Sequence, residues 1–200
     1  MDRKGTNILL AGVGGLGVLT ASNIIGTAAV RVGKKVSSFE VHGIAQRGGA
    51  VIGTVRIGDH NVGPLLGDGR ADIILGFEPL EVLRNISKAS QSTIVITDIT
   101  PIRVITPTQF TYPKLEDIFA EVEERCARLY KIDCLALARK AGTAMVRPSV
   151  LLGALSEIEQ FPIGSQVLLK TLEESVPARY KEQNIAAFKE GADFIRAKRQ

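Results

Sequence analysis

The run Ile8-Leu9-Leu10-Ala11-Gly12-Val13-Gly14-Gly15-Leu16-Gly17 constrains this chain more than any other stretch. Its apolar block, Ile8 to Ala11, has the character of a parallel strand buried on both faces. Gly12, Gly14 and Gly17 then match G-x-G-x-x-G. Glycine at the first two positions permits a tight turn and the close approach of a ligand. Glycine at the third lets a new helix pack against its strand. The spacing predicts a helix that starts near Gly15 or Leu16. The N-terminus of such a helix offers unpaired N–H groups and a partial positive charge to an anion. The same turn occurs in α/β proteins that bind no nucleotide there, so it speaks for a fold before it speaks for a ligand.

Beyond the turn, strands and helices alternate. Val18 to Val32 reads as a helix stopped by Gly33, and Val36 to Val41 as a second strand. Together with the first strand they make a βαβ unit of the usual length. Ala50 to Gly58 reads as a long strand, Asp59-His60-Asn61 as a turn that leaves His60 in solvent, and Ala71 to Phe77 as a buried strand. Pro79 sits in the first turn of a helix running to about Ala89, and Thr93 to Thr97 is the next strand. Pro101, Pro107 and Pro113 mark an extended crossing segment. A helix over Leu115 to Glu123, a strand over Arg128 to Ile132 and a helix over Cys134 to Lys140, capped by Asp133, complete the alternation.

From residue 146 the pattern is helical only: Pro148 to Ile158, Gly164 to Glu174 and Ala178 to Lys198. Leu151-Leu152-Gly153-Ala154-Leu155 is apolar nearly all round and should be buried. Phe188 and Phe194 fall on related faces of the last helix and read as core. Arg196, Lys198 and Arg199 suit a helix C-terminus. The expected architecture is α/β, a doubly wound, mainly parallel, Rossmann-like sheet over residues 1–145. Residues 146–200 form a C-terminal helical extension of the same domain.

Composition narrows the function. With 45% apolar residues in 200, a full core is available. The net charge of +4 is spread among mixed charges and aromatics are only 5%, so no basic-aromatic stripe for nucleic acid stands out. No apolar run is long enough to cross a bilayer. Cys126 and Cys134 form no Cys-x-x-Cys pair and cannot by themselves hold an iron–sulfur cluster or a four-cysteine zinc site; they read as packing residues. So few cysteines and no signal peptide point to the cytoplasm. Neither a Ser-His-Asp order, a His-x-x-x-His spacing nor a P-loop is visible. Gly67-Asp68-Gly69 opens like a thiamine-diphosphate motif, but the Asn-bearing stretch that would complete the magnesium site is replaced by Ile94-Val95-Ile96-Thr97. It reads as a turn.

Candidate site residues gather after the second strand. Glu40 stands where a dinucleotide-binding domain carries its ribose acid, about 20 residues beyond the glycines. The chain then departs from a dehydrogenase and runs into His42-Gly43-Ile44-Ala45-Gln46-Arg47-Gly48-Gly49. A polar, glycine-bearing loop at the carboxyl end of a strand lies where ligands of open α/β sheets collect. Gln46 and Arg47 supply donors and a fixed positive charge.

These two segments, with Arg147-Pro148-Ser149-Val150-Leu151-Leu152-Gly153-Ala154 and Asn184-Ile185-Ala186-Ala187-Phe188-Lys189-Glu190-Gly191, resemble the gamma-type subunit or domain of 2-oxoacid:ferredoxin oxidoreductases, most of all the indolepyruvate type. The resemblance covers nearly the whole chain, and Gln46-Arg47-Gly48-Gly49 is its most specific part. It implies oxidative decarboxylation of a 2-oxoacid, here an aryl pyruvate, with coenzyme A as acyl acceptor and ferredoxin as electron acceptor. It also implies that thiamine diphosphate, Mg and [4Fe-4S] clusters reside in a large alpha partner subunit. On this reading Gly12, Gly14, Gly15, Gly17, Glu40, His42, Gln46, Arg47, Gly48 and Gly49 line an intersubunit or cofactor cleft. Arg47 there pairs with a carboxylate or a coenzyme A phosphate. Two other readings rest on the glycine turn alone: a free-standing NAD(P)-binding protein, and an adenylating enzyme. The second lacks its Asp-x-Asp and Asn-Leu-x-Arg-Gln stretches here.

Overall fold

The computed structural model describes residues 5–42, 49–60, 63–102 and 111–199. Its centre is β1 (Gly5–Val13), in which Ile8 to Val13 are all buried. Five further strands join it: β2 (Lys35–His42), β3 (Ala50–Gly58), β4 (Ile73–Gly76), β5 (Ile94–Asp98) and β6 (Arg128–Ile132). They form one sheet in the order β2-β3-β1-β4-β5-β6. β1, β4, β5 and β6 pair in parallel. β3 runs against both of its neighbours, from Gly5↔Gly58 to Val13↔Ala50 on one side and from Lys35↔Gly58 to His42↔Val51 on the other.

The sheet is therefore mainly parallel and α/β, as the alternation predicts, with one correction. β1 and β2 point the same way but do not touch, because β3 lies between them. The connection from β2 to β3 is too short for a crossover, so β3 must turn back antiparallel. Nine residues of β3 then pair along the whole of β1 and close the gap.

Helices cover both faces. α1 (Val18–Arg31), α4 (Cys134–Lys140), α5 (Arg147–Ser156), α6 (Ser165–Ser175) and α7 (Lys181–Arg199) pack on one side. α2 (Pro79–Arg84) and α3 (Leu115–Glu124) pack on the other. The division follows the period of two within each strand: Ile8 and Leu10 join the first core and Leu9 the second. The cysteines are split the same way, Cys126 with the second core and Cys134 with the first.

Local boundaries also shift from expectation. α1 begins at Val18 because Gly15 (φ 94°) and Gly17 (φ 80°) sit in the left-handed region, which a helix cannot include. α2 stops at Arg84, and a 3₁₀ turn over Ile86–Lys88 finishes what the sequence reads as one helix to Ala89. The buried strand read over Ala71 to Phe77 pairs only from Ile73 to Gly76. α5 is buried on all sides, from Ser149 to Leu155, as its composition requires. It lies so close to α7 that a Cβ on Gly153 would fall 1.9 Å from the Phe188 carbonyl oxygen, and one on Gly191 1.9 Å from that of Val150.

Candidate functional site

β1 ends at the carboxyl edge of the sheet, and the glycine turn that follows is fixed from three directions. The Phe77 N–H donates to the Ala11 carbonyl at 2.8 Å, which draws the end of β4 against β1. The Gly14 N–H donates to the Gly49 carbonyl at 2.8 Å, which ties the turn to the entrance of β3. Gly17 closes the turn as N-cap of α1, without a side-chain cap.

The glycines do not all perform the work their motif suggests. A Cβ on Gly12 would lie 2.7 Å from Cβ of Phe77 and 2.8 Å from Cγ2 of Val18. Gly12 thus makes room for the protein itself, not for a ligand. A Cβ on Gly17 would lie 2.7 Å from Cγ of Pro148, so the third glycine admits α5 and not β1. Gly15 faces open space and is the one exposed glycine of the turn.

Glu40 stands opposite Gly53 in β2. With β3 between its strand and β1, it lacks the adjacency to the glycine turn that a ribose acid has in a dinucleotide fold. His42 is the last residue of β2, opposite Val51, and Gly49 holds the turn as described. The structure thus brings Gly12, Gly14, Gly15, Gly17, His42 and Gly49 to one edge. Gln46, Arg47 and Gly48 lie outside the described residues, as do Asn61 and residues 103–110 of the proline-bearing segment.

The same edge carries residues that the sequence reading passed over. Asp98 ends β5 only 2% exposed. Its Oδ1 accepts the Thr100 N–H at 3.0 Å, and its Oδ2 lies 3.6 Å from Nη1 of Arg147, the first residue of α5. Burial pushes the Asp98 carboxyl up, while Thr100 and Arg147 pull it part of the way back. Burial, with the Asp98 charge beside it, also raises the Cys134 thiol. Glu78, 1% exposed, caps α2 by accepting the Glu81 N–H at 2.9 Å. Its other oxygen accepts the Ile102 N–H and the Tyr112 hydroxyl, so one carboxylate grips both flanks of the proline-bearing segment. Burial and that carboxylate push the Tyr112 phenol above its ordinary value. An acid directly after a buried strand was the available signal for Glu78 and Asp98. Nothing local signals their partners.

Beside the turn opens a cleft of about 530 Å³, bounded by Gly15 to Gly17, the start of α5 and the chain before α7. Its lining includes the apolar Leu16, Met145 and Val176 and the charged Arg147 and Arg179.

Elsewhere, Gly67-Asp68-Gly69 is a turn. Asp68 pairs with Lys88 at 2.8 Å and accepts from Ser87, and these bonds, Lys88 first, hold its carboxyl below the usual range. His60 is exposed. Among the described residues no group of His, Cys, Asp and Glu could hold a metal ion, and no helix is long and apolar enough to cross a membrane.

A sequence family described as pyruvate ferredoxin/flavodoxin oxidoreductase matches residues 7–194. The indolepyruvate oxidoreductase subunit IorB of Pyrococcus horikoshii is 40% identical over 188 residues, 92% of this chain and 93% of that protein. The gamma subunit of a keto/oxoacid ferredoxin oxidoreductase from Geobacter sulfurreducens superposes with a TM-score of 0.71 at 20% identity, over 96% of this chain and 99% of that one. The 2-oxoglutarate:ferredoxin oxidoreductase of Magnetococcus marinus, solved with 2-oxoglutarate, coenzyme A and succinyl-CoA, superposes with a TM-score of 0.75 at 23% identity. That likeness covers 98% of this chain and 32% of the other.

Proposed function

This chain belongs to the pyruvate ferredoxin/flavodoxin oxidoreductase family as a small subunit of a 2-oxoacid:ferredoxin oxidoreductase, and from that premise we propose how it takes part in the reaction. Its enzyme decarboxylates an aryl pyruvate oxidatively in the cytoplasm, passes the acyl group to coenzyme A and the electrons to ferredoxin. The large alpha partner holds thiamine diphosphate, Mg and the [4Fe-4S] clusters, which supply the decarboxylation and electron-transfer chemistry. The residues of this chain do not fit those groups. A cluster needs about four thiolates, and the sequence has two cysteines, in separate cores on opposite faces of the sheet. Asp68, in the one Gly-Asp-Gly segment, is already engaged by Lys88 and Ser87.

What this chain contributes is an edge. The observation that carries the reading is the bond from Gly14 N–H to the Gly49 carbonyl, which joins the glycine turn to the entrance of β3. In sequence, Gln46 and Arg47 fall between His42, the last residue of β2, and Gly49, whose carbonyl holds the glycine turn. Glu40 stands two residues before His42 on β2. We assign Gly14, Gly15, Glu40, His42, Gln46, Arg47, Gly48 and Gly49 to the cleft shared with the large subunit, Gly12 and Gly17 shaping the turn from within, with Arg47 binding a coenzyme A phosphate or a partner carboxylate in a forked geometry.

The test is anaerobic co-purification of the chain with its partner, with thiamine, iron and 2-oxoacid-dependent ferredoxin reduction measured. In that complex Arg47→Ala should raise KM for coenzyme A by about tenfold or more while turnover at saturation stays near wild type. Unchanged coenzyme A saturation would remove Arg47 from the role. A chain that purifies alone and binds NAD(P) or ATP saturably would overturn the subunit reading itself.

A further inference from the structure

On the face of the second core, α2 and α3 pack over β1, β4, β5 and β6. Among the described residues no helix packs in the same way over β3 and the edge strand β2 on that face. Phe39 stands opposite Thr54 and Val41 opposite Ile52, and residues paired in this way point to the same face. It is the face of the second core, which Ile52 joins from its margin. Yet Phe39 is 41% and Val41 47% exposed. β2 keeps an unbroken register with β3 and holds no proline, and its lysine, Lys35, stands at the far end from His42. The opposite edge, β6, exposes the cations Arg128 and Lys131, a common guard on sheet edges.

A third apolar residue is displayed beside these two. Thr54 Oγ1 reaches the Phe39 carbonyl at 3.4 Å and the Pro64 carbonyl at 2.9 Å, which brings the two segments together. Arg56 Nη1 donates to the carbonyls of Gly63 and Leu65, and Leu66 is buried in the second core. Leu65 is therefore fixed through its own carbonyl and through both neighbours, and it is still 68% exposed. A backbone held in this way has little left to order when a partner covers it.

We propose that Phe39, Val41 and Leu65 form the apolar centre of the surface on which the large subunit docks. The inference rests on the subunit reading above and adds where the contact lies. None of the three is charged, so the matching surface of the large subunit is apolar. Continuity selects this occupant. Val41 precedes His42 on β2, and Ile52, opposite Val41, also pairs with Ala11, the residue before Gly12 of the glycine turn. Area selects it as well. The three residues together expose about 300 Å². A stable interface takes about 800 Å² from each partner, so the patch is too small to hold a second copy of this chain by itself. A partner that also covers the glycine-turn edge supplies the remainder.

The experiment is anaerobic titration of the large subunit with the full-length chain, as wild type, Leu65→Asp, Phe39→Lys and Val30→Lys. Val30, at the end of α1 and 63% exposed, is the control for a charge placed on an exposed apolar residue elsewhere. Circular dichroism of each chain checks the fold. Leu65→Asp and Phe39→Lys should each raise Kd for the large subunit by about thirtyfold or more, with Val30→Lys within about twofold of wild type. Wild-type affinity in both Leu65→Asp and Phe39→Lys, or an equal loss in Val30→Lys, would overturn this surface while the subunit reading stands. A wild-type chain that binds no large subunit would overturn that reading and this surface with it. A chain that sediments as a dimer by itself, and as a monomer with Leu65→Asp, would give the patch to a second copy and overturn the large subunit as its occupant.

Discussion

Asp98 sits in a place that costs a carboxylate its hydration, and the protein returns only part of that cost. One backbone N–H at 3.0 Å and one guanidinium at 3.6 Å face it, and its carboxyl is raised. A raised folded value means that the native state holds the proton where the unfolded chain has released it. The stability this contributes is complete below the unfolded value and is lost as pH rises through the folded one. Asp98→Asn has no proton to release. Denaturant unfolding of both proteins from about pH 3.5 to 7 should show wild type losing stability relative to Asp98→Asn as pH rises; parallel curves would mean that burial does not govern Asp98. Glu78 differs in its hydrogen bonding. It is as deeply buried but is met by two N–H groups and a phenol. Tyr112→Phe removes one of these charge-assisted bonds and should cost about 2 kcal/mol in chemical denaturation. A loss below about 0.5 kcal/mol would mean that the segment before α3 is not held there.

At the scale of elements, the crossing of α5 and α7 has the least tolerance. Gly153 and Gly191 let the two backbones meet, and no side-chain movement can relieve a clash with a carbonyl oxygen. Gly153→Ala should therefore lower stability by about 3 kcal/mol, at the upper end for overpacking. Gly26, inside α1, is the control. A Cβ there would meet only Val36 Cγ1, at an ordinary 3.7 Å. Gly26→Ala should raise stability by about 0.5–1 kcal/mol through helix propensity and a less disordered unfolded chain. If both variants move the same way, helix propensity and not helix approach governs α5. The sequence makes these helices easy to read, since Leu151 to Leu155 demands burial. It does not reveal which glycine is a contact and which is filler, because that depends on a partner 35 or more residues away.

For the whole molecule, the first core is common to the sheet and the C-terminal helices. Ile8, Leu10 and Ile73 from the strands share it with Val150, Leu152, Leu168 and Phe188. Removing residues 146–200 would uncover one face of the sheet along much of its length. Calorimetry of the full chain should show one unfolding transition, and a chain ending at residue 145 should show none. A truncated chain that melts cooperatively would make 1–145 a domain in its own right.

The sequence by itself determined the α/β class, the glycine turn after a buried strand, the helical C-terminal stretch and the family resemblance. Each is written in local periodicity or in contiguous residues. A continuous apolar run marks Ile8 to Ala11, and Gln46-Arg47-Gly48-Gly49 is a single unbroken segment. Only the tertiary structure decided that β3 stands between β1 and β2, because strand order depends on pairing between distant segments and leaves no local mark. It also decided that Gly12 makes room for Phe77 and Val18, that Asp98 meets Arg147 49 residues on, and that Arg179 comes to share a cleft with Leu16. These are meetings across the fold, fixed by the way the helices close over the sheet.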